Sequence, residues 1–122
     1  MDRTFLLAGA LAGFVGVAFG AFGAHGLRGR LSPEMLAVFE TGVRYQMYHA
    51  LALMLTSAMM MTGRIEGRLV SAAGWLFVAG IVLFSGSLYL LAVTGMTLLG
   101  AITPIGGVAF LLGWTCLAIA TL

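Results

Sequence analysis

Charge is what this sequence has least of. Six arginines, four acids and no lysine are spread over 122 residues, so that 8% of the side chains are charged. A soluble domain carries about 25%. So few charges could not cover a water-soluble globule of this size, and the implied solvent for most of the surface is lipid. Cysteine is almost absent as well. Cys116 stands alone, which excludes an internal disulfide and any Cys/His metal spacing, and it reads as a small apolar side chain. The arginines form no basic stripe with interleaved aromatics, so nucleic-acid binding has no support. No nucleophile elbow, phosphate-binding loop or pair of carboxylates within an apolar run is present. The expectation is therefore a non-enzymatic protein with no cofactor and no metal.

What the chain does have is long apolar runs, within a composition that is 61% hydrophobic. Thr4 to Ala24 carries no charge. Arg28, Arg30, Glu34, Glu40 and Arg44 follow, then an uncharged run from Tyr45 to Gly63, then Arg64, Glu66 and Arg68. From Leu69 to the end no charge occurs at all, and that stretch is too long for one crossing, since a helical span takes about 20 residues. Its turn signals are Thr94-Gly95, Gly100 and Thr103-Pro104. The runs do not alternate polar with apolar as membrane strands do, and backbone groups in lipid must be satisfied within the segment. The predicted fold is an all-α membrane protein, a single domain over 1–122. It is a four-transmembrane-helix bundle with spans at about 4–24, 45–62, 70–92 and 104–121.

The first run also has the outline of a cleaved signal peptide. It is longer than an h-region of about 7–15 residues, and its ordered glycines favour a retained helix. Ser32-Pro33-Glu34 is a helix start, with a capping hydroxyl, a proline suited to the first position and an acid at the positive end of the dipole. Met35, Leu36, Phe39 and Val43 then recur at helical spacing, which predicts a short amphipathic helix at about 33–43 on the membrane surface. This helix could continue into the second span, with Gly42 as a bend. Thr103-Pro104 repeats the start signal. Four crossings put both termini on one side. Three arginines would lie at each end, so the positive-inside rule does not choose between the two orientations.

Small residues at regular spacing predict the packing faces. The first run has Ala8, Ala12, Gly16, Gly20 and Ala24 at every fourth position, beside Gly9 and Gly13. The third has Ala72/Ala73, Ala79/Gly80 and Gly86/Ser87 at every seventh, and the fourth has Gly106, Gly107 and Gly113. The residues expected at helix contacts are Ala12, Gly16, Gly20, Gly80, Ser87, Gly106 and Gly113. Ala12-Gly13-Phe14 through Gly23 can also be laid over Ala73-Gly74-Trp75 through Phe84, the outline of a duplication. A chain this small could hardly enclose a wide pathway alone, which favours a homo-oligomer or another membrane protein as partner, along with lipid.

The candidate functional residues are polar groups inside the runs. Glu40, Arg44, Tyr45, Gln46, Tyr48 and His49 cluster at the entry to the second span. Glu40 with Arg44, Arg44 with Tyr48, and Tyr45 with His49 stand four apart on a helix. Ionisable residues at membrane depth are functional candidates by default, whereas interfacial arginine and tyrosine commonly act as anchors. His25 ends the first span and makes only a second imidazole, too few for a zinc site. Ser85, Ser87 and Tyr89 bring hydroxyls into the third span, with Ser85 and Tyr89 on one face. The leading expectation is a protein that works through helix, lipid or partner contacts. The alternative is a small transporter or channel component using Arg44, Tyr45 and His49.

Taken together, Gly20-Ala21-Phe22-Gly23-Ala24-His25-Gly26, Tyr45-Gln46 with His49, Leu83-Phe84-Ser85-Gly86-Ser87-Leu88-Tyr89, Ile102-Thr103-Pro104-Ile105-Gly106-Gly107 and Gly113-Trp114 resemble the YgdD-like family. Those are small bacterial inner-membrane proteins similar to the eukaryotic transmembrane protein 256 group. The resemblance covers nearly the whole chain, in order. It implies a multi-pass protein of the bacterial inner membrane and brings no activity, substrate or catalytic residue with it.

Overall fold

A computed structural model describes residues 2–65 and 67–122, and all of its regular elements are helical. The first helix, α1, covers Asp2–His25. The second, α2, covers Pro33–Thr62. The third, α3, covers Gly67–Thr94 and contains one π-helical turn at Ile81–Ser85. A 3-10 turn at Thr97–Ala101 leads into α4, Thr103–Ala120. Among the described residues three helical stretches are long and apolar enough to cross a bilayer: Asp2–His25, Gly67–Thr94 and Thr97–Ala120. The longest helix, α2, is not one of them, because Glu34, Glu40, Arg44, Gln46 and His49 make its first half polar.

Local chemistry sets the ends. The Ser32 hydroxyl accepts from the Met35 N–H at 3.2 Å and Pro33 takes the first helical position, so α2 begins where the capping signal predicts. Gly63 and Gly95 close α2 and α3 with φ of 65° and 72°, a left-handed conformation in which a side chain would be strained. The separate surface helix expected at 33–43 is a correction. These residues are the first turns of α2, which continues unbroken through Gly42. Gly42 does not interrupt the helix, and it is buried beneath Tyr89 and Ser85 of α3. Thr103 is another correction. It makes no cap bond at the start of α4, and its hydroxyl instead meets Ser87 at 2.6 Å.

The bundle is two pairs sharing a hub. α1 packs chiefly on α2 and α4 chiefly on α3, while α2 lies against both α1 and α3 and reaches α4 through the His49 side chain. In α1 the buried residues are Phe5, Gly9, Gly16 and Gly23, so its glycines repeat every seventh position and not every fourth. The reason is geometric. At 3.6 residues per turn a step of four advances by about 40° and walks off the interface. A step of seven drifts by only about 20°, which a shallow left-handed supercoil absorbs. Ala24 is accordingly exposed. In α3 the buried face steps from Val70 through Ala73, Phe77 and Gly80, then jumps five residues to Ser85 before resuming at Leu88 and Ala92. The jump is the π turn, whose extra residue resets the helix phase.

The main core sits at the level of Phe5, Leu53, Val70, Phe77 and Phe110. A second cluster, of Leu27, Phe39 and Ala92 with Phe19 and Tyr89 against it, lies at the end where α1 stops. Outward faces are apolar, with Val17, Leu51 and Leu111 each about two-thirds exposed (64%, 66% and 68%). Such faces suit hydrocarbon and not water.

Candidate functional site

The polar face of α2 is the most built-up feature of the molecule. Helical spacing places Gly42, Gln46, His49, Leu53 and Thr56 inward, while Glu40, Arg44, Tyr48, Leu51 and Leu55 point away. The cluster predicted at the entry to this span is thus divided by the helix into two halves. Gln46 and His49 are each 4% exposed, whereas Glu40, Arg44 and Tyr48 lie on the surface. Among the described residues no ion pair joins Glu40 to Arg44. Both ends of that pair reach solvent or headgroups, where such a contact contributes little.

Gln46 ties three helices. Its Nε2 donates to the Ala12 carbonyl of α1 at 2.8 Å, and its Oε1 accepts from the Tyr89 hydroxyl of α3 at 2.6 Å. Tyr89 reaches that far because helical side chains lean toward their own N-terminus. Its ring passes over Gly42, where a Cβ would stand 2.8 Å from the ring. One turn earlier, Ser85 Oγ donates to the Gly42 carbonyl at 2.7 Å. Ser85 and Tyr89 therefore do share a face, and that face is laid against Gly42 and Gln46.

His49 ties α2 to α4. The Trp114 indole N–H donates to His49 Nε2 at 3.0 Å. An indole nitrogen can only donate, so Nε2 must be the acceptor and Nδ1 must carry the proton. That Nδ1–H lies 2.7 Å from the Tyr45 carbonyl one turn back. The hydrogen bonds thus select the neutral Nδ1–H tautomer. The imidazole also stacks on Phe110, with centroids 3.6 Å apart and planes 9° apart. It forms one wall of a lipid-side groove of about 390 Å³ between α2 and α4, with Tyr45, Phe84 and Trp114.

Other hydroxyls act in the same way. Ser57 Oγ donates to the Asp2 carbonyl at 2.7 Å, fixing the start of α1, and Thr56 Oγ1 bonds back to Ala52 within α2. Among the described residues no buried side-chain nitrogen or oxygen lacks a partner. His25 is exposed at the end of α1, apart from His49. Among the described residues no three His, Cys, Asp or Glu side chains converge.

The contact residues fall into two groups. Gly80 seats the Phe110 ring, Gly113 the Phe77 ring, and Gly106 the backbone at Leu83 and Phe84. Gly16 lies under Met47, Ala12 supplies the carbonyl for Gln46, Gly20 touches Val43 only at ordinary contact distance, and Ser87 is held to Thr103. Sequence reasoning missed Trp114, Phe110 and Ser57 as partners. The available signal was chemical: an indole N–H in an apolar run needs an acceptor, and His49 is the imidazole inside a helix-forming run.

A family model described as protein of unknown function (DUF423) matches residues 19–107. The chain belongs to this family. Relatives in the DUF423/UPF0382 membrane protein family align along almost the whole chain. The UPF0382 membrane protein YwdK of Bacillus subtilis is 49% identical over 119 residues, covering 97% of this chain and 95% of the relative. A UPF0382 membrane protein of Staphylococcus epidermidis is 50% identical over 120 residues, covering 98% and 96%. One from Staphylococcus aureus is 51% identical over 119 residues, covering 98% and 95%. No solved structure matches the chain. The DUF423/UPF0382 assignment makes this a helical membrane protein of a family of unknown function.

Proposed function

We propose that this DUF423/UPF0382 protein is a non-catalytic, four-crossing protein of the bacterial inner membrane that works through its contacts with lipid and other membrane proteins. In this reading both termini lie on one side. Kinship with the YgdD-like and transmembrane protein 256 groups belongs to the same reading. The observation that carries it is the use made of the interior polar groups. Gln46, His49, Ser57, Ser85 and Ser87 each bond to another helix or to their own backbone. A conducting path needs polar groups turned toward a lumen, and a reaction needs an activated group facing a substrate. Here the inward hydroxyls, amide and imidazole act as ties between helices.

The test has two readouts on one preparation, the purified chain in liposomes. Single cysteines introduced at Arg3, Arg28 and Arg64 into a Cys116→Ser background are labelled from outside. The expected pattern is opposite accessibility for Arg28 against the other two. A proton- or ion-sensitive dye inside the vesicles is expected to report no flux above protein-free vesicles. Flux that disappears in His49→Ala would replace this reading with a transporter.

A further inference from the structure

At the end of the bundle where α1 stops, α1 and α3 do not close on each other. A groove of about 450 Å³ separates them, within the size range of small-ligand sites. Phe19 and Phe22 of α1, Phe39 of α2, and Tyr89, Leu90 and Val93 of α3 form its walls. It is open along one side, as Phe22, Leu90 and Val93 are all more than half exposed. The one hydroxyl among these residues, on Tyr89, is already bonded to Gln46. The walls therefore offer a ligand only apolar contact.

The chain directly beyond the groove is built differently. Gly26 and Leu27 donate to the Phe22 carbonyl at 2.6 and 3.1 Å, which folds the loop back over the groove end of α1. Leu27 and Leu31 turn inward onto the Phe39 cluster, joined by the Leu31 N–H to Leu27 carbonyl bond of 3.1 Å. Gly29, with φ of 87°, makes the turn between them. A loop whose two leucines are held inward presents the residues between them outward, and these are Arg28 and Arg30, both exposed. Among the described residues neither makes an ion pair. The loop that carries these two unpaired guanidiniums packs its leucines on Phe19, Phe39 and Tyr89, the same rings that line the apolar groove.

We propose that this seam binds an anionic phospholipid, with an acyl chain in the groove between α1 and α3 and the phosphate held by Arg28 and Arg30. The charge and the depth both fit. Arginine's planar fork suits phosphate oxygens, and the loop follows directly on the last turn of a helix of spanning length, at the headgroup level. The lipid would occupy the gap that α1 and α3 leave open, and so complete the bundle. The inference rests on the four-crossing reading and narrows its lipid contact to one site.

The experiment is native mass spectrometry of the purified full chain in detergent, with phosphatidylglycerol or phosphatidylcholine of the same acyl chains. About a tenfold preference for phosphatidylglycerol is expected from two basic side chains at the surface. Replacing both arginines with glutamine (Arg28→Gln, Arg30→Gln) should bring the two lipids to equal retention. Gly86→Leu fills the groove wall from a position with nothing within 4 Å, and it should lower retention of both lipids at an unchanged melting temperature. Equal retention of the two lipids by the unaltered protein overturns the proposal, as does displacement of the lipid by 10 mM inorganic phosphate (on the order of a saturating concentration for a weak free-anion site). If these fail while the labelling still finds four crossings, the site falls and the topology stands.

Discussion

The two helix pairs solve the same packing problem with different materials. Between α1 and α2 the neighbours are mixed: a Cβ at Gly9 would stand 2.8 Å from the Ala50 carbonyl oxygen and one at Gly23 3.1 Å from the Phe39 ring, but the middle of the seam is soft or open. Gly16 lies under the Met47 thioether and Gly20 meets only a Val43 methyl at 3.4 Å, while the buried amide of Gln46 supplies a directional bond. Between α3 and α4 the glycines face rigid groups. Gly80 and Gly113 each take a phenyl face, and at Gly106 the two backbones touch. Methionine has three rotatable bonds and adapts to a new neighbour, whereas a buried ring or a helix backbone cannot move without dragging its surroundings. The comparison teaches that identical residues at similar spacing impose unequal constraints, set by what lies opposite.

Substitutions can break or sharpen this contrast, with thermal unfolding in detergent as the common measurement. Gly106→Leu should have the largest effect, because its Cβ alone would enter the Leu83–Phe84 backbone. A loss of about 3 kcal/mol or failure to assemble is expected, at the upper end of overpacking costs. A near-native melt would mean that α3 and α4 are not pinned by backbone contact. Gly113→Ala comes next, at about 2 kcal/mol. Its Cβ would stand 2.6 Å from the Phe77 ring, which is fully buried and cannot swing aside.

Trp114→Phe keeps an aromatic ring but removes the N–H together with part of the indole, so the bond to His49 is separated from ring packing by a double-mutant cycle. About 1 kcal/mol should be lost, and His49→Leu in a double-mutant cycle should recover a coupling of similar size. Additive losses would assign the stability to ring packing instead. The smallest effect belongs to Gly16→Ala, under about 1 kcal/mol. The Met47 sulfur lies 2.5 Å from the added methyl's position but is partly exposed and free to turn, and alanine gains helix propensity. If Gly16→Ala matches Gly113→Ala in cost, the distinction between soft and rigid pairs fails.

Much of the architecture was legible in the residues. Ser32-Pro33 marked the start of α2, and Gly95 closed α3 where a turn signal stood. The candidate site was legible in kind but not in arrangement. Glu40, Arg44, Tyr48 and His49 form one cluster along the chain, yet 100° per residue sends the first three outward and the imidazole inward. The partners that define Gln46 and His49 lie 34 and 65 residues away, beyond any local spacing rule.

By itself the sequence determined that the chain is helical and apolar, because uncharged runs of this length must satisfy their own backbone and because so few charges could not clothe a soluble surface. It also determined where helices begin and end, since caps and left-handed glycines act within one turn. Only the tertiary structure decided which glycines are pressed against rings, where α3 takes its π turn, and that Trp114 fixes the tautomer of His49. Those outcomes depend on the phase in which four helices meet, and each helix's phase is set by the partner it packs against.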